Sequence, residues 1–434
     1  MGKEEKHHSI YLDPDKCQGC TNCIKHCPAE AIRVSNGRAY ILDERCIDCG
    51  QCVRICPSHA KQAESDSLGV LKKFATPIAL VAPSFYGQFP GNIGINTILT
   101  ALKRLGFADV IEVAQGADLA ARATEEFLAQ KERPYPYITS SCPVVVRLIQ
   151  NRFPSLLDNL VPVISPMEIS ARIARELYPG EEVGVFFISP CSAKLTAVRH
   201  PRGLEESALD GVIGFRDIYV NLKVEMARNR EGEVEQLASA PPSGRRWARV
   251  GGEGEDSSTH FISIDGIDRV AEGLEQIENG NWDRFDLVEF MCCPGGCLGG
   301  PLTVTNPYEG AANMKEREGL NDPDPARLRK LPTPPGEIRW EKAPEPLSVY
   351  QLDEDFSKAV VLMEKMEEIL AGLPGIDCGA CGAPTCQAFA EDIVTGRADI
   401  NGCVFMLRDK IKGLTDQMVD LQRVMPPSFR KKEE

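Results

Sequence analysis

The run Cys17-x-x-Cys20-x-x-Cys23-x-x-x-Cys27-Pro28 is followed by Cys46-x-x-Cys49-x-x-Cys52-x-x-x-Cys56-Pro57, the same spacing twice. Few patterns restrict a fold more tightly. Three thiolates this close, with backbone N–H groups between them, wrap one cubane, and the fourth cysteine of each run reaches across to the other cluster. Cluster one is therefore expected to take Cys17, Cys20, Cys23 and Cys56, and cluster two Cys46, Cys49, Cys52 and Cys27. Zinc also accepts four thiolates, but the doubled run with a proline after each fourth cysteine favours iron. Residues 1–65 read as an internal repeat, each half a strand-like stretch, a cysteine loop and a short helix after Cys-Pro.

The remaining cysteines are clustered as well. Of seventeen, eight lie at 17–56, one each at Cys142 and Cys191, three at 292–297 and four at 378–403. The first nine residues are polar with no apolar signal core, so the expected compartment is cytoplasmic, where grouped thiols read as metal ligands rather than disulfides. The longest apolar runs, residues 77–82 and 183–188, are too short to span a bilayer, so no membrane partner is expected. A formal net charge of −14 argues against nucleic acid as a partner, since phosphate neutralisation needs clustered Lys and Arg.

Residues 71–306 alternate between strand and helix patterns. Strands are expected at 76–82, 108–113, 136–139, 161–164 and 183–188, and helices at 93–105, 117–133 and 167–177. Residues 231–258, rich in Gly, Ser, Arg and Glu, read as a surface loop or insertion. Residues 307–350 read as an extended linker rich in Pro, Glu and Lys. Residues 351–434 hold a helix with Ala359, Val360, Met363, Met366 and Leu370 on one side, a last cysteine group, an amphipathic helix to about Val424 and a charged tail.

Three segments of the central domain carry its cysteines: Thr139-Ser140-Ser141-Cys142-Pro143, Ser189-Pro190-Cys191-Ser192-Ala193-Lys194, and Glu289-Phe290-Met291-Cys292-Cys293-Pro294-Gly295-Gly296-Cys297-Leu298-Gly299-Gly300. In order and spacing they resemble the signature segments of the [FeFe]-hydrogenase catalytic domain, and residues 1–65 resemble bacterial two-cluster ferredoxins. The fold class implied is α/β, a hydrogenase-type domain flanked by a ferredoxin-like α+β domain and a small C-terminal cluster-binding domain. The resemblance implies an H-cluster: a [4Fe–4S] cubane on Cys142, Cys191, Cys293 and Cys297, the last bridging to a diiron subsite with CO, cyanide and azadithiolate. Lys194 matches a lysine that hydrogen-bonds a cyanide ligand, and Met291 a methionine packed against the diiron site. Soft thiolates suit iron, an ammonium suits an anionic ligand, and Gly295, Gly296, Gly299 and Gly300 are expected to let backbone approach the cluster. Cys292 has no ligand role and is expected to pack.

The sequence departs from the family where protons move. Ser141 stands where the family places a relay cysteine, and a hydroxyl is a poorer relay than a thiol. An ungapped alignment puts Thr124 and Phe127 at the two relay carboxylates and Val161 at the relay serine; a gap would restore Glu125 and Glu126. Ser189 replaces a methionine and Ala197 a glutamate. Low turnover follows, a combination that resembles the sensory [FeFe]-hydrogenases of the type without a PAS domain.

Cys378-x-x-Cys381-x-x-x-x-Cys386 with Cys403 resembles the small [4Fe–4S] domain of corrinoid iron–sulfur proteins and some electron-transport subunits. Zinc remains the alternative there. Four cubanes then account for all cysteines but Cys292. The implied partners are H2 and protons, maturation proteins, and a redox protein or a signalling kinase or phosphatase. The other readings are a catalytic subunit of a hydrogenase complex and an electron carrier without the diiron subsite.

Overall fold

The structure, a computed structural model, describes residues 7–130, 136–180, 182–228, 233–255, 259–320, 325–424 and 426. Its N-terminal module holds four short strands, β1 (Ile10–Leu12), β2 (Ile32–Ser35), β3 (Arg38–Ile41) and β4 (Lys61–Ala63). β1 pairs antiparallel with β4, and β2 with β3. The β2–β3 turn is Asn36-Gly37, both at positive φ (50° and 72°), the hand a two-residue hairpin needs. The single-turn helices Asn22–Lys25 and Gln51–Arg54 precede each Cys-Pro instead of following it. They carry Cys23 and Cys52 inward, and the prolines that come after cannot extend them.

Seven further strands build the central domain: β5 (Thr76–Val81), β6 (Asp109–Glu112), β7 (Tyr137–Ile138), β8 (Val183–Ser189), β9 (Gly211–Gly214), β10 (Phe261–Asp265) and β11 (Leu287–Met291). They form two parallel sheets, in the orders β6-β5-β8-β9 and β10-β11-β7. β8 is buried at every residue, which is why it reads as an unbroken apolar run rather than an alternating one. Helices Ile95–Lys103, Pro166–Leu177 and Phe215–Arg228 pack on the first sheet, and Pro143–Arg152 and Ile267–Glu278 on the second. In open parallel sheets ligands bind beyond the carboxyl ends of the strands. Here the carboxyl ends of β5, β7, β8 and β11 lead into the segments that line one cavity.

Several expectations are revised. The helix expected at 117–133 begins earlier and runs Val113–Ala129; residues 131–135 lie outside the described set. Residues 161–164 form no strand; Val163 makes one isolated bridge with Arg339, and their apolar character serves a core shared with helices Val113–Ala129 and Pro166–Leu177. The linker expected from 307 opens with a helix, Pro307–Leu320, whose Arg317 donates to the carbonyls of Tyr86, Phe89 and Pro90.

The described part of 231–258 is not a surface loop. Leu237, Ala238, Ala240, Trp247 and Ala248 are buried, and the short helix Pro242–Arg246 sets Arg245 against Glu112, both side chains buried. Buried polar groups must be paired. Glu112 accepts from Tyr86 Oη, the Ser239 and Ala240 amides and Arg245. That pairing hides the segment behind a hydrophilic composition.

The C-terminal module folds on helix Cys386–Val394 and sits on the ferredoxin-like module. Arg33 pairs with Asp392 and Arg45 with Glu391, and the Val34 amide donates to Gly382 O at 2.8 Å. Helix Phe356–Gly372 is capped by Asp355 and packs Met366, Ile369 and Leu370 inward, leaving Val360 and Met363 exposed. Among the described residues no helix is long and apolar enough to cross a membrane.

Candidate cluster and proton-transfer site

The main cavity of the central domain has about 970 Å³ of non-atom space, part of it open to solvent. Ser141, Cys142, Cys191, Lys194, Met291, Cys292, Cys293 and Cys297 all line it. Local structure explains their placement. Cys142 ends the loop after β7 as the N-cap of helix Pro143–Arg152, with proline at the first helical position. Cys191 follows β8 and is held by Ser189, whose Oγ accepts from the Cys191 amide at 3.1 Å. Cys292 and Cys293 follow β11, and a short helical turn, Gly296–Gly299, carries Cys297.

Four thiols face one another. Burial raises Cys191 well above an ordinary thiol, and Cys293, Cys142 and Cys297 add to the rise as neighbouring like charges. Cys293 is instead lowered to about 6 by the Cys292 thiol and by Arg54. Arg54 Nη2 donates to Cys293 Sγ and to Gly299 O, both at 2.9 Å, and Nη1 donates to Cys49 O at 3.1 Å. Cys292 is buried, its Sγ 3.7 Å from Cys49 O, so it packs at the seam between the two modules.

The glycines of the third segment serve packing between protein elements. A Cβ on Gly300 would lie 2.3 Å from Pro190 O, and one on Gly296, at φ 71°, 2.7 Å from Met291 Sδ. Close approach of the 289–300 segment to the Cys191 loop therefore requires glycine at 300 on its own account, and Gly296 and Gly300 also line the cysteine cavity.

The other cysteines gather in two smaller cavities. Cys27, Cys46, Cys49 and Cys52 line one, and Cys378, Cys381, Cys386 and Cys403 the other. Cys17 and Cys23 pack in the small core of the N-terminal module, while Cys20 is exposed and Cys56 partly buried. Cys49 borders both the central cavity and its neighbour, so the two sites are separated by this one residue's surroundings.

Sequence reasoning missed two carboxylates. Ser141 Oγ donates to Glu253 at 3.2 Å, and Lys194 Nζ donates to Ser141 O at 3.0 Å. Glu253 is pushed up to about 8 by burial, with the Glu289 carboxylate raising it further. Burial likewise lifts Glu289 to about 7, against the Gly251 amide that donates to it at 2.6 Å. The other Glu289 oxygen, Oε1, is buried with no hydrogen-bond partner among the described residues. Glu253 keeps some accessible surface because it borders two cavities, the central one and a second lined by Asp118, Thr124, Glu125, Ser243 and Trp247.

Of the positions aligned with the family relay, Val161 and Phe127 are buried in one apolar cluster with Leu128, Tyr137 and Ile164; Thr124 is buried but borders the second cavity, and Glu125 and Glu126 are exposed. No signal in the sequence singled out Glu253. Glu289 stood in a quoted motif without a role, because on β11 it reads as a polar residue in a strand.

Three regions of the chain match known protein families. Residues 9–57 match the 4Fe-4S dicluster domain family and residues 373–405 a putative Fe-S cluster family. Iron hydrogenase 1 of Clostridium pasteurianum is 26% identical over 384 residues, 70% of this chain and 67% of that one. The periplasmic [Fe] hydrogenase large subunit of Nitratidesulfovibrio vulgaris is 26% identical over 366 residues, 68% of this chain and 86% of that one. The solved [FeFe]-hydrogenase HydA1 of Chlamydomonas reinhardtii superposes over 58% of this chain and 89% of that one, with 17% identity and a TM-score of 0.46. Residues 75–258 and 248–301 match the iron only hydrogenase large subunit, C-terminal domain, and with half of its length so matched the chain belongs to the [FeFe]-hydrogenase family of iron–sulfur proteins.

Proposed function

We propose that this protein binds H2 and splits it heterolytically at an H-cluster, turning over slowly as a sensor of H2 or redox state. The observation that carries the reading is the convergence of Cys142, Cys191, Cys293 and Cys297 on one cavity that Lys194 and Met291 also line. The donor set fits the group: four soft thiolates for iron, an ammonium for an anionic ligand, and a largely apolar wall. The diiron subsite would supply cleavage of the H–H bond, chemistry that belongs to the cofactor. Three further cubanes are assigned to Cys17, Cys20, Cys23 and Cys56, to Cys27, Cys46, Cys49 and Cys52, and to Cys378, Cys381, Cys386 and Cys403.

The chain's own residues position and move the proton. Ser141 Oγ takes it at the cavity wall and passes it to Glu253, 3.2 Å away. A carboxyl near 8 with a neighbour near 7 is matched to exchange protons around neutral pH. From Glu253 the second cavity leads past Asp118 and Thr124 to the exposed Glu125. Electrons leave past Cys293 and Cys49, where Arg54 ties the two modules together.

The Ser141 hydroxyl is the weak step of this route, since it ionises far less readily than a thiol. It supports the sensor reading, with a kinase, phosphatase or redox protein as the partner. A second reading, the catalytic subunit of a hydrogenase complex, is supported by the same Glu253–Glu289 pair, which offers a proton route other than the family's. Isotope exchange between H2 and solvent, measured on protein loaded with the diiron subsite, tests the proposal. Exchange with slow dye-linked turnover supports the sensor, fast turnover the catalytic subunit, and no exchange the electron carrier.

A further inference from the structure

The last long helix, Val404–Arg423, has twenty residues, none of them buried. It is about 30 Å long; only its first turn, through Phe405 and Met406, packs on the core of the C-terminal module, and the rest of it touches no core among the described residues. Val404, Leu407, Ile411, Leu414, Met418 and Leu421 repeat at alternating intervals of three and four along it, each 40% to 66% exposed. A stripe with this 3.5-residue period is the seam of a coiled coil rather than the broader face of a globular helix. Phe356–Gly372 offers a contrast. It too exposes apolar side chains, but Glu364, Glu367 and Glu368 break any continuous seam, and its Met366, Ile369 and Leu370 pack inward on the C-terminal module.

We propose that Val404–Arg423 is one strand of a parallel two-stranded coiled coil with a second copy of this chain. The side chains choose the partner and its direction. In heptad positions, a holds Val404, Ile411 and Met418, and d holds Leu407, Leu414 and Leu421. β-branched residues at two of the three a positions, with leucine at every d, favour the parallel dimer over trimers and tetramers.

Charge agrees. In a parallel pair the residues flanking the seam are Lys410 against Thr415 of the other copy and Gln417 against Gln422, so no like charges meet. The chain carries −14, which opposes self-association over most of its surface. This helix alone is balanced, with Arg408, Lys410, Lys412 and Arg423 against Asp409, Asp416 and Asp420. It is the stretch on which two acidic copies meet without repulsion.

The consequence concerns the C-terminal cysteine module. Cys403, which lines its cavity, is the N-cap of the helix. Parallel helices pack with axes about 8–10 Å apart, so the two copies of that module stand side by side at the same end of the coil.

Sedimentation equilibrium of the full-length, cluster-loaded protein under anaerobic conditions tests the proposal. The wild type is expected to be a dimer that dissociates on dilution. Leu414→Glu, on a surface that supports no other part of the fold, is expected to raise the dissociation constant at least about a hundredfold with unchanged iron content. Direction is read from Met418→Glu and Met418→Lys. Each alone weakens the dimer, and mixing the two restores it, because residue 418 faces its own copy only when the helices are parallel. A wild type monomeric at every soluble concentration overturns the proposal, as does a dimer indifferent to Leu414→Glu. A mixed pair no tighter than the single variants overturns the parallel arrangement.

Discussion

Replacing Glu253 with glutamine isolates the proton route from everything else the site does. Glutamine keeps the volume and an oxygen that can accept from Ser141 Oγ, now 3.2 Å away, but it cannot take up a proton. A positioned general acid–base contributes about 10²- to 10⁴-fold, so Glu253→Gln is expected to slow both H2 oxidation and proton reduction by that factor. This corresponds to roughly 3–5 kcal/mol of barrier. The pH profile carries a second signature. Oxidation needs a carboxylate to receive the proton, so it rises with pH through the range about 7 to 8 set by the pair; reduction needs the acid form and falls through the same range. Both limbs flatten in the variant. The assay is dye-linked turnover in both directions, with infrared bands checked so that loading is equal. Turnover within about twofold of wild type, or an unchanged pH profile, refutes the route through Glu253.

Three other perturbations follow from the same structure. Ser141→Cys puts a thiol 3.2 Å or so from Glu253 and is expected to raise turnover about tenfold or more; unaltered turnover in the same dye assay shows that the hydroxyl is not the limiting step. Glu112→Ala leaves the buried Arg245 without its carboxylate and is expected to cost about 3–5 kcal/mol, read as a lowered Tm; a Tm matching wild type contradicts that pairing. Glu391→Ala removes the partner of buried Arg45 and is expected to loosen the C-terminal module, making it cleavable by protease while dye-linked turnover at the central domain persists. Cleavage no faster than in wild type argues against the latch.

The parts of the fold legible in the sequence are those written in short-range chemistry. The doubled cysteine runs and the C-terminal group declare themselves by spacing, because a cluster constrains neighbours in the chain; the three central segments, far apart in sequence, are legible only through their resemblance to a known family. The apolar run of β8 declares itself because a strand covered on both faces needs no polar residue. What stayed hidden depends on distant partners. Glu253 and Arg245 lie in a stretch whose composition is that of a surface loop, and partners far away in sequence, Ser141 and Thr139 for Glu253 and Glu112 for Arg245, make their burial tolerable. Residues 161–164 read as a strand from their apolar character, yet their neighbours are helices and a single bridge. Helix Pro307–Leu320 was masked by the proline-rich stretch after it, although Pro307 sits where a helix tolerates proline.

The central claim is that Cys142, Cys191, Cys293 and Cys297 hold a working H-cluster, and infrared spectroscopy of protein matured with the diiron subsite tests it most directly. The account predicts cyanide and CO bands that shift reversibly when H2 replaces an inert atmosphere, and that change position in a Lys194→Met variant. Fully loaded cubanes with no such bands would contradict it and leave an iron–sulfur electron carrier.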